Sequence, residues 1–107
     1  METLQNTLHV GSRKYFDFDE IILLEADVNY TKIHLTSGKI FVSSTTLGKI
    51  AKRLTNNPLF FRTHKTFMVN LDYVTNHSET GIQVDHRMQI SLSRRRKNNL
   101  LMLRNKD

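Results

Sequence analysis

Tyr30-Thr31-Lys32-Ile33-His34-Leu35-Thr36-Ser37-Gly38-Lys39-Ile40-Phe41-Val42-Ser43 decides the fold. Within it, Thr31, Ile33 and Leu35 alternate with Lys32, His34 and Thr36, the two-residue period of a strand with one buried face. Thr36-Ser37-Gly38-Lys39 reads as a hairpin turn, because glycine takes positive φ without steric cost, and Lys39–Ser43 is then the return strand. Toward the N-terminus, Ile21–Glu25 is apolar and β-branched at its start, which predicts a more deeply buried strand. Phe16 and Phe18 share a face in an earlier, shorter one. Toward the C-terminus, Leu47, Ile50, Ala51 and Leu54 fall at helical spacing, with Ser44, Thr45 or Thr46 available as N-cap. Asn56-Asn57-Pro58 closes that helix. Ile82 and Val84, then Met88, Ile90 and Leu92, alternate with polar residues and are joined through Asp85-His86-Arg87. After Ser93 the pattern leaves the choice open: Arg94–Lys97 is a charge run, and Leu100–Leu103 fits one helical turn docked on the core. The expectation is a mostly β chain with one short helix near its middle.

Composition narrows the class. A length of 107 residues is one compact domain. The absence of cysteine excludes disulfides, thiol chemistry and sulfur-ligated zinc. The longest apolar runs, Ile21–Leu24 and Leu100–Leu103, are far shorter than the roughly 20 residues that cross a bilayer. Residues 1–7 lack the charged-then-apolar order of a secretory signal, so the expected location is the cytoplasm.

Charge is the first functional clue. Sixteen Lys and Arg stand against ten Asp and Glu, a net +6. Residues 1–30 hold two of the bases and six of the acids; the remainder holds fourteen and four. That asymmetry points to a polyanion-facing surface and a separate acidic one. No basic stretch is also amphipathic with bulky apolar anchors, which argues against a membrane surface.

Several chemistries lack their residues. His9, His34, His64, His77 and His86 show no i, i+4 pairing, so no metal site is expected. Asp17-Phe18-Asp19-Glu20 lacks the further ligands and turn glycine of a calcium loop and fits an Asx turn or helix cap better. Neither a phosphate-cradling glycine loop nor a nucleophile elbow is present, so neither a cofactor nor catalysis is expected. What the sequence does contain is three clusters of cations and hydroxyls at strand ends: Asn29-Tyr30-Thr31-Lys32, Arg62-Thr63-His64-Lys65-Thr66 and Ser93-Arg94-Arg95-Arg96-Lys97. Arg and Lys neutralise phosphates, Arg also bonds a guanine edge, and Ser and Thr hydroxyls reach phosphate oxygens. Read alone, the arginine run is more often a solvated tail or, in a eukaryote, a nuclear import signal, and Arg62–Thr66 a surface hairpin end with His64 half-buried and hydrogen-bonded.

Phe61-Arg62-Thr63-His64-Lys65-Thr66-Phe67-Met68-Val69-Asn70 resembles the signature of the LytTR DNA-binding domain, roughly Phe-x-Arg-x-His-x-Ser-x-x-Val-Asn. Ile22–Leu35 is similar to that family's first core hairpin, Leu47–Leu54 to its single short helix, Tyr73-Val74 to the strand after Val-Asn, and Ile90-Ser91-Leu92-Ser93-Arg94-Arg95 to its closing element. The resemblance covers residues 8–103 and leaves residues 1–7 and 104–107 as tails. It implies an elongated arrangement of small antiparallel sheets with one short central helix, in a bacterial transcription regulator. Such domains bind double-stranded DNA with loops that enter successive major grooves and bend the duplex. Carried over, the first contact loop falls at Tyr30, Thr31 and Lys32, and the second at Lys65 beside His64, with Arg62 and Thr66 as backbone contacts. The third falls at Arg95, flanked by Arg94 and Arg96.

Two departures qualify the match. Thr66 stands where serine is usual, keeping the hydroxyl. Most relatives also carry a receiver domain or a membrane segment, and this sequence has neither, which leaves a solitary regulator or a fragment of a longer one. In physical terms Lys65 and Arg95 are the candidates for base edges, and Thr31 for a thymine methyl or a phosphate. Arg62, Thr66, Arg94, Arg96 and Lys97 are the candidates for phosphate, with Glu25 and the acidic start turned away. The expected partners are duplex DNA and, on the acidic face, RNA polymerase or a sensor, with a monomer in solution that pairs on DNA. The competing classes are a single-strand or RNA-binding module, which needs an exposed aromatic platform, a nonspecific nucleic-acid binder, and a protein-interaction domain.

Overall fold

The computed structural model describes residues 7–11, 13–55, 57–77, 81–85 and 88–91. In chain order these form β1 (Thr7–Gly11), β2 (Lys14–Asp17), β3 (Ile21–Asp27), β4 (Tyr30–Leu35), β5 (Ile40–Ser43), α1 (Leu47–Arg53), β6 (Phe60–Arg62), β7 (Phe67–Asn70), β8 (Val74–His77), β9 (Gly81–Val84) and β10 (Met88–Ser91). Two 3-10 turns, Phe18–Glu20 and Leu71–Tyr73, lead into β3 and β8. The strands make three antiparallel sheets: β1-β2, the five-stranded β5-β4-β3-β7-β6, and β10-β9-β8.

The five-stranded sheet is the middle layer. Ile21 and Leu24 of β3 join Leu8, Val10, Phe16, Ile33, Leu47, Ile50 and Met68 in one core, which β1-β2 and α1 cover. Ile22 and Leu23 join Phe61, Val69, Ile82, Val84 and Ile90 in a second core under β8–β10. Two consecutive residues face the same way because the pairing of β3 with β4 slips between Ile21 and Leu23, as a bulge does. A run without alternation is what a strand covered on both faces requires, and Ile21–Leu24 is buried throughout. The chain is thus mostly β, an arrangement of small antiparallel sheets with one short helix, as expected, within extents of 37 × 33 × 24 Å.

Most local expectations hold. The central hairpin pairs Thr31 with Ser43 and Ile33 with Phe41, and its turn places Gly38 at φ +94. The helix begins at Thr46, whose hydroxyl accepts the Lys49 N–H at 3.3 Å, and ends at Arg53, ahead of the Asn-Asn-Pro sequence. Phe18 corrects the shared-face reading: Phe16 lies on β2, whereas Phe18 opens the first 3-10 turn. There the Glu20 carboxylate accepts the Asp17 N–H at 2.9 Å, the capping role foreseen for this acidic stretch. Both rings still reach the same core, Phe16 edge-on to Phe41 and Phe18 edge-on to Phe60. His86, Arg87 and Leu92–Leu103 lie outside the described residues, so the expected helical turn at Leu100–Leu103 does too.

Candidate nucleic-acid interface

Register fixes which loops are neighbours. Asp27 pairs with Tyr30 across the two-residue Val28-Asn29 turn, so the β3-β4 hairpin ends there. β7 runs antiparallel to β3, with Glu25 opposite Phe67, and β6 pairs back onto β7 with Arg62 opposite Met68. The Thr63–Thr66 loop therefore closes a second hairpin at the same end of the sheet. The Ala26 N–H donates to the Thr66 carbonyl at 2.7 Å and ties the two together. Adjacent hairpins in one sheet lie two strand spacings apart, about 10 Å.

The second tip is internally braced. Thr63 N–H donates to the Phe67 carbonyl at 3.1 Å, and Phe67 N–H returns to the His64 carbonyl at 3.2 Å. The Arg62 guanidinium donates through Nε to the His64 carbonyl at 3.0 Å and through an Nη to the Lys65 carbonyl at 2.6 Å. His64 Nδ1 accepts the Thr66 N–H at 3.2 Å. Thr63 is fully buried and Thr66 half-buried, while Lys65 projects into solvent from the apex. Arg62 and His64, which the sequence nominated as contacts, hold the loop that presents Lys65.

The first tip differs from the expectation at Thr31. Its side chain is completely buried and its hydroxyl donates to the Thr45 carbonyl at 2.7 Å. Alternation along β4 dictates this, since Thr31 shares the inward face with Ile33. The same buried corner holds Ser43, whose hydroxyl donates to the Val10 carbonyl and accepts the Thr45 N–H. Tyr30 is exposed, and Lys32 sits 3.6 Å from Asp27 Oδ2. Glu25, opposite Lys32, bonds His34 Nε2 at 2.9 Å. The carboxylates of β3 thus stand beside the first tip instead of turning away from it, a feature the sequence reading missed. The pairing register carries it, and the sequence does not.

The other end of the sheet is acidic. Asp17, Asp19 and Glu20 precede β3, and Asp72 follows β7. Tyr73 donates its phenol hydroxyl to the Asp19 carbonyl at 2.6 Å and accepts the Asp85 N–H on its own carbonyl at 2.7 Å. Burial, and then the charges of Asp19, Asp72 and Asp85, hold the Tyr73 phenol above its ordinary pKa. β10 is parallel to β8 and begins at this acidic end. Arg94, Arg95, Arg96 and Lys97 follow and lie outside the described residues.

Residues 11–104 match the family profile of the LytTr DNA-binding domain. The chain belongs to the LytTR family. A solved structure of the same architecture is the LytTr DNA-binding domain of a protein described as a methyl-accepting/DNA response regulator from Bacillus cereus. It is 18% identical, with a TM-score of 0.70 over 91% of this chain and 93% of that one. No curated protein matches. As a LytTR domain the chain carries a DNA-binding fold. Among its described residues no helix is long and apolar enough to cross a membrane, and no cluster of three or more His, Asp or Glu is placed to hold a metal.

Proposed function

We propose that this LytTR domain reads duplex DNA sequence by presenting the two adjacent hairpin tips to the major groove, as the DNA-binding part of a bacterial transcription regulator in the cytoplasm. The observation that carries this is the braced Thr63–Thr66 loop, which fixes its backbone and leaves the long Lys65 donor exposed beside the Val28-Asn29 turn. Lys65 addresses guanine O6 and N7, Tyr30 and Lys32 flank it, and Thr66 approaches phosphate. Arg95, with Arg94, Arg96 and Lys97, supplies the third contact segment. Polar separation of charge along the sheet orients the domain, with the acidic end turned from the duplex and open to a protein partner.

Selection from a randomised duplex pool at about 150 mM salt, where nonspecific contacts are already weakened, tests the reading. An enriched motif is the expected result, and retention without enrichment refutes it. On that motif Lys65→Ala is expected to lose about 1–3 kcal/mol while scarcely affecting random DNA. Equal losses on both would make Lys65 a phosphate contact. A single-strand platform finds little support: among the described aromatics only Tyr15 and Tyr30 are exposed, and Tyr15 stacks on His9 at 4.8 Å.

A further inference from the structure

Two of the turns between strands of the central sheet place a residue at positive φ, and they build it differently. The β4-β5 turn uses Gly38 for its left-handed residue. The β3-β4 turn uses Val28, at φ +56. A β-branched residue in that region is a backbone outlier, and glycine would occupy it without strain. Val28 is also 87% exposed, so its methyl groups gain nothing from the protein's own cores. Neither folding nor solubility accounts for valine at this position. It lies at the apex of the tip that flanks Lys65, and Thr31, the residue expected to meet an apolar base feature from this loop, is buried and bonded.

We infer that Val28 is a specificity-determining residue that packs its methyl groups on the C5-methyl of a thymine in the major groove. That methyl is the one apolar group the four base pairs display there, and apolar contact is how it is read. The inference rests on the proposed major-groove reading. Strain explains the pre-set geometry: a left-handed residue in a two-residue turn holds the side chain outward and fixed, where a flexible loop would have to order it on binding.

The test uses the motif enriched from the random pool, with each thymine replaced in turn by deoxyuridine, which deletes only the methyl. Wild-type protein is expected to lose about fourfold in affinity at one thymine per bound domain, the value of one methyl group withdrawn from water. Val28→Gly is expected to bind thymine and uracil equally at that position, to respond like wild type at all others, and to melt no lower than wild type. Its unchanged or raised melting temperature separates lost contact from lost fold. The inference is overturned if every thymine-to-uracil change affects wild type and Val28→Gly equally, or if the enriched motif holds no thymine. A pool that yields no motif overturns the major-groove reading itself, a result distinct from both.

Discussion

Arg62→Ala separates a residue that shapes a loop from one that touches DNA. The guanidinium donates to the His64 and Lys65 carbonyls at 3.0 and 2.6 Å, and both lie at the apex. The rest of the loop keeps its own ties: Thr63 N–H to Phe67, Phe67 N–H to His64, and Ala26 N–H to Thr66. Removing the side chain therefore frees about one residue of backbone, centred on Lys65, which corresponds to about 1–2 kcal/mol of conformational freedom. The binding-competent loop then becomes a minority state, and apparent affinity falls by the same fraction, about 5- to 30-fold on the enriched motif. Salt dependence is the deciding observable. Titration of wild type and variant by fluorescence anisotropy at several salt concentrations is expected to give parallel slopes, because no phosphate contact has been lost. Arg62→Lys is expected to recover little, since an ammonium cannot reproduce a planar two-carbonyl fork. A slope shallower by about one unit, with Arg62→Lys restoring it, would refute the reasoning and return Arg62 to the phosphate backbone.

Other expectations follow from the same geometry. Asp27→Asn releases Lys32 and removes a carboxylate from the tip, so affinity for all duplexes is expected to rise about two- to fivefold, measured on motif and random DNA; a fall confined to the motif would mean Asp27 itself accepts from a base. Thr31→Val is expected to cost about 1 kcal/mol in urea unfolding through the lost Thr45 bond and to leave the motif-to-random affinity ratio unchanged. A lowered ratio at full stability would put Thr31 back at the DNA. Tyr73 has a folded-state pKa above its unfolded value of 10.0, so the folded state holds the proton more tightly. Its stabilising contribution is complete below pH 10 and declines as pH rises through the folded pKa. Tyr73→Phe is expected to flatten that alkaline decline relative to wild type in pH-dependent denaturation, and an equally steep decline would contradict the assignment.

The β4-β5 hairpin and α1 were legible because their periods and punctuation are local: Gly38 marks the turn, Thr46 the cap. β3 was legible as buried because its apolar run does not alternate, though the bulge that sends Ile22 and Leu23 to one core is set by its neighbours. β1 and β6 carry no such signal. β6 spans three residues, and its two phenylalanines face different cores. At the site, the donors are visible in the sequence, but their employment is not. Arg62 and His64 look identical in sequence whether they grip DNA or their own loop. Thr31 is instructive because two arguments disagreed: strand alternation placed it inward with Ile33, the family resemblance placed it at the DNA, and the sheet follows the alternation. Val28 was invisible, since nothing in Asp27-Val28-Asn29-Tyr30 announces a left-handed valine.

The Ala26–Thr66 bond has a consequence for the DNA as well as for the protein. On the proposed major-groove reading, two tips locked in one sheet about 10 Å apart act as a calliper of fixed gauge, close to three base-pair rises of about 3.4 Å. Inserting one base pair between the two contacted steps would carry one of them about 3.4 Å along the axis and about 35° around it. A sheet has no hinge with which to follow such a step. Operators for this domain are therefore expected to vary in the bases they offer between the two steps, and never in their number.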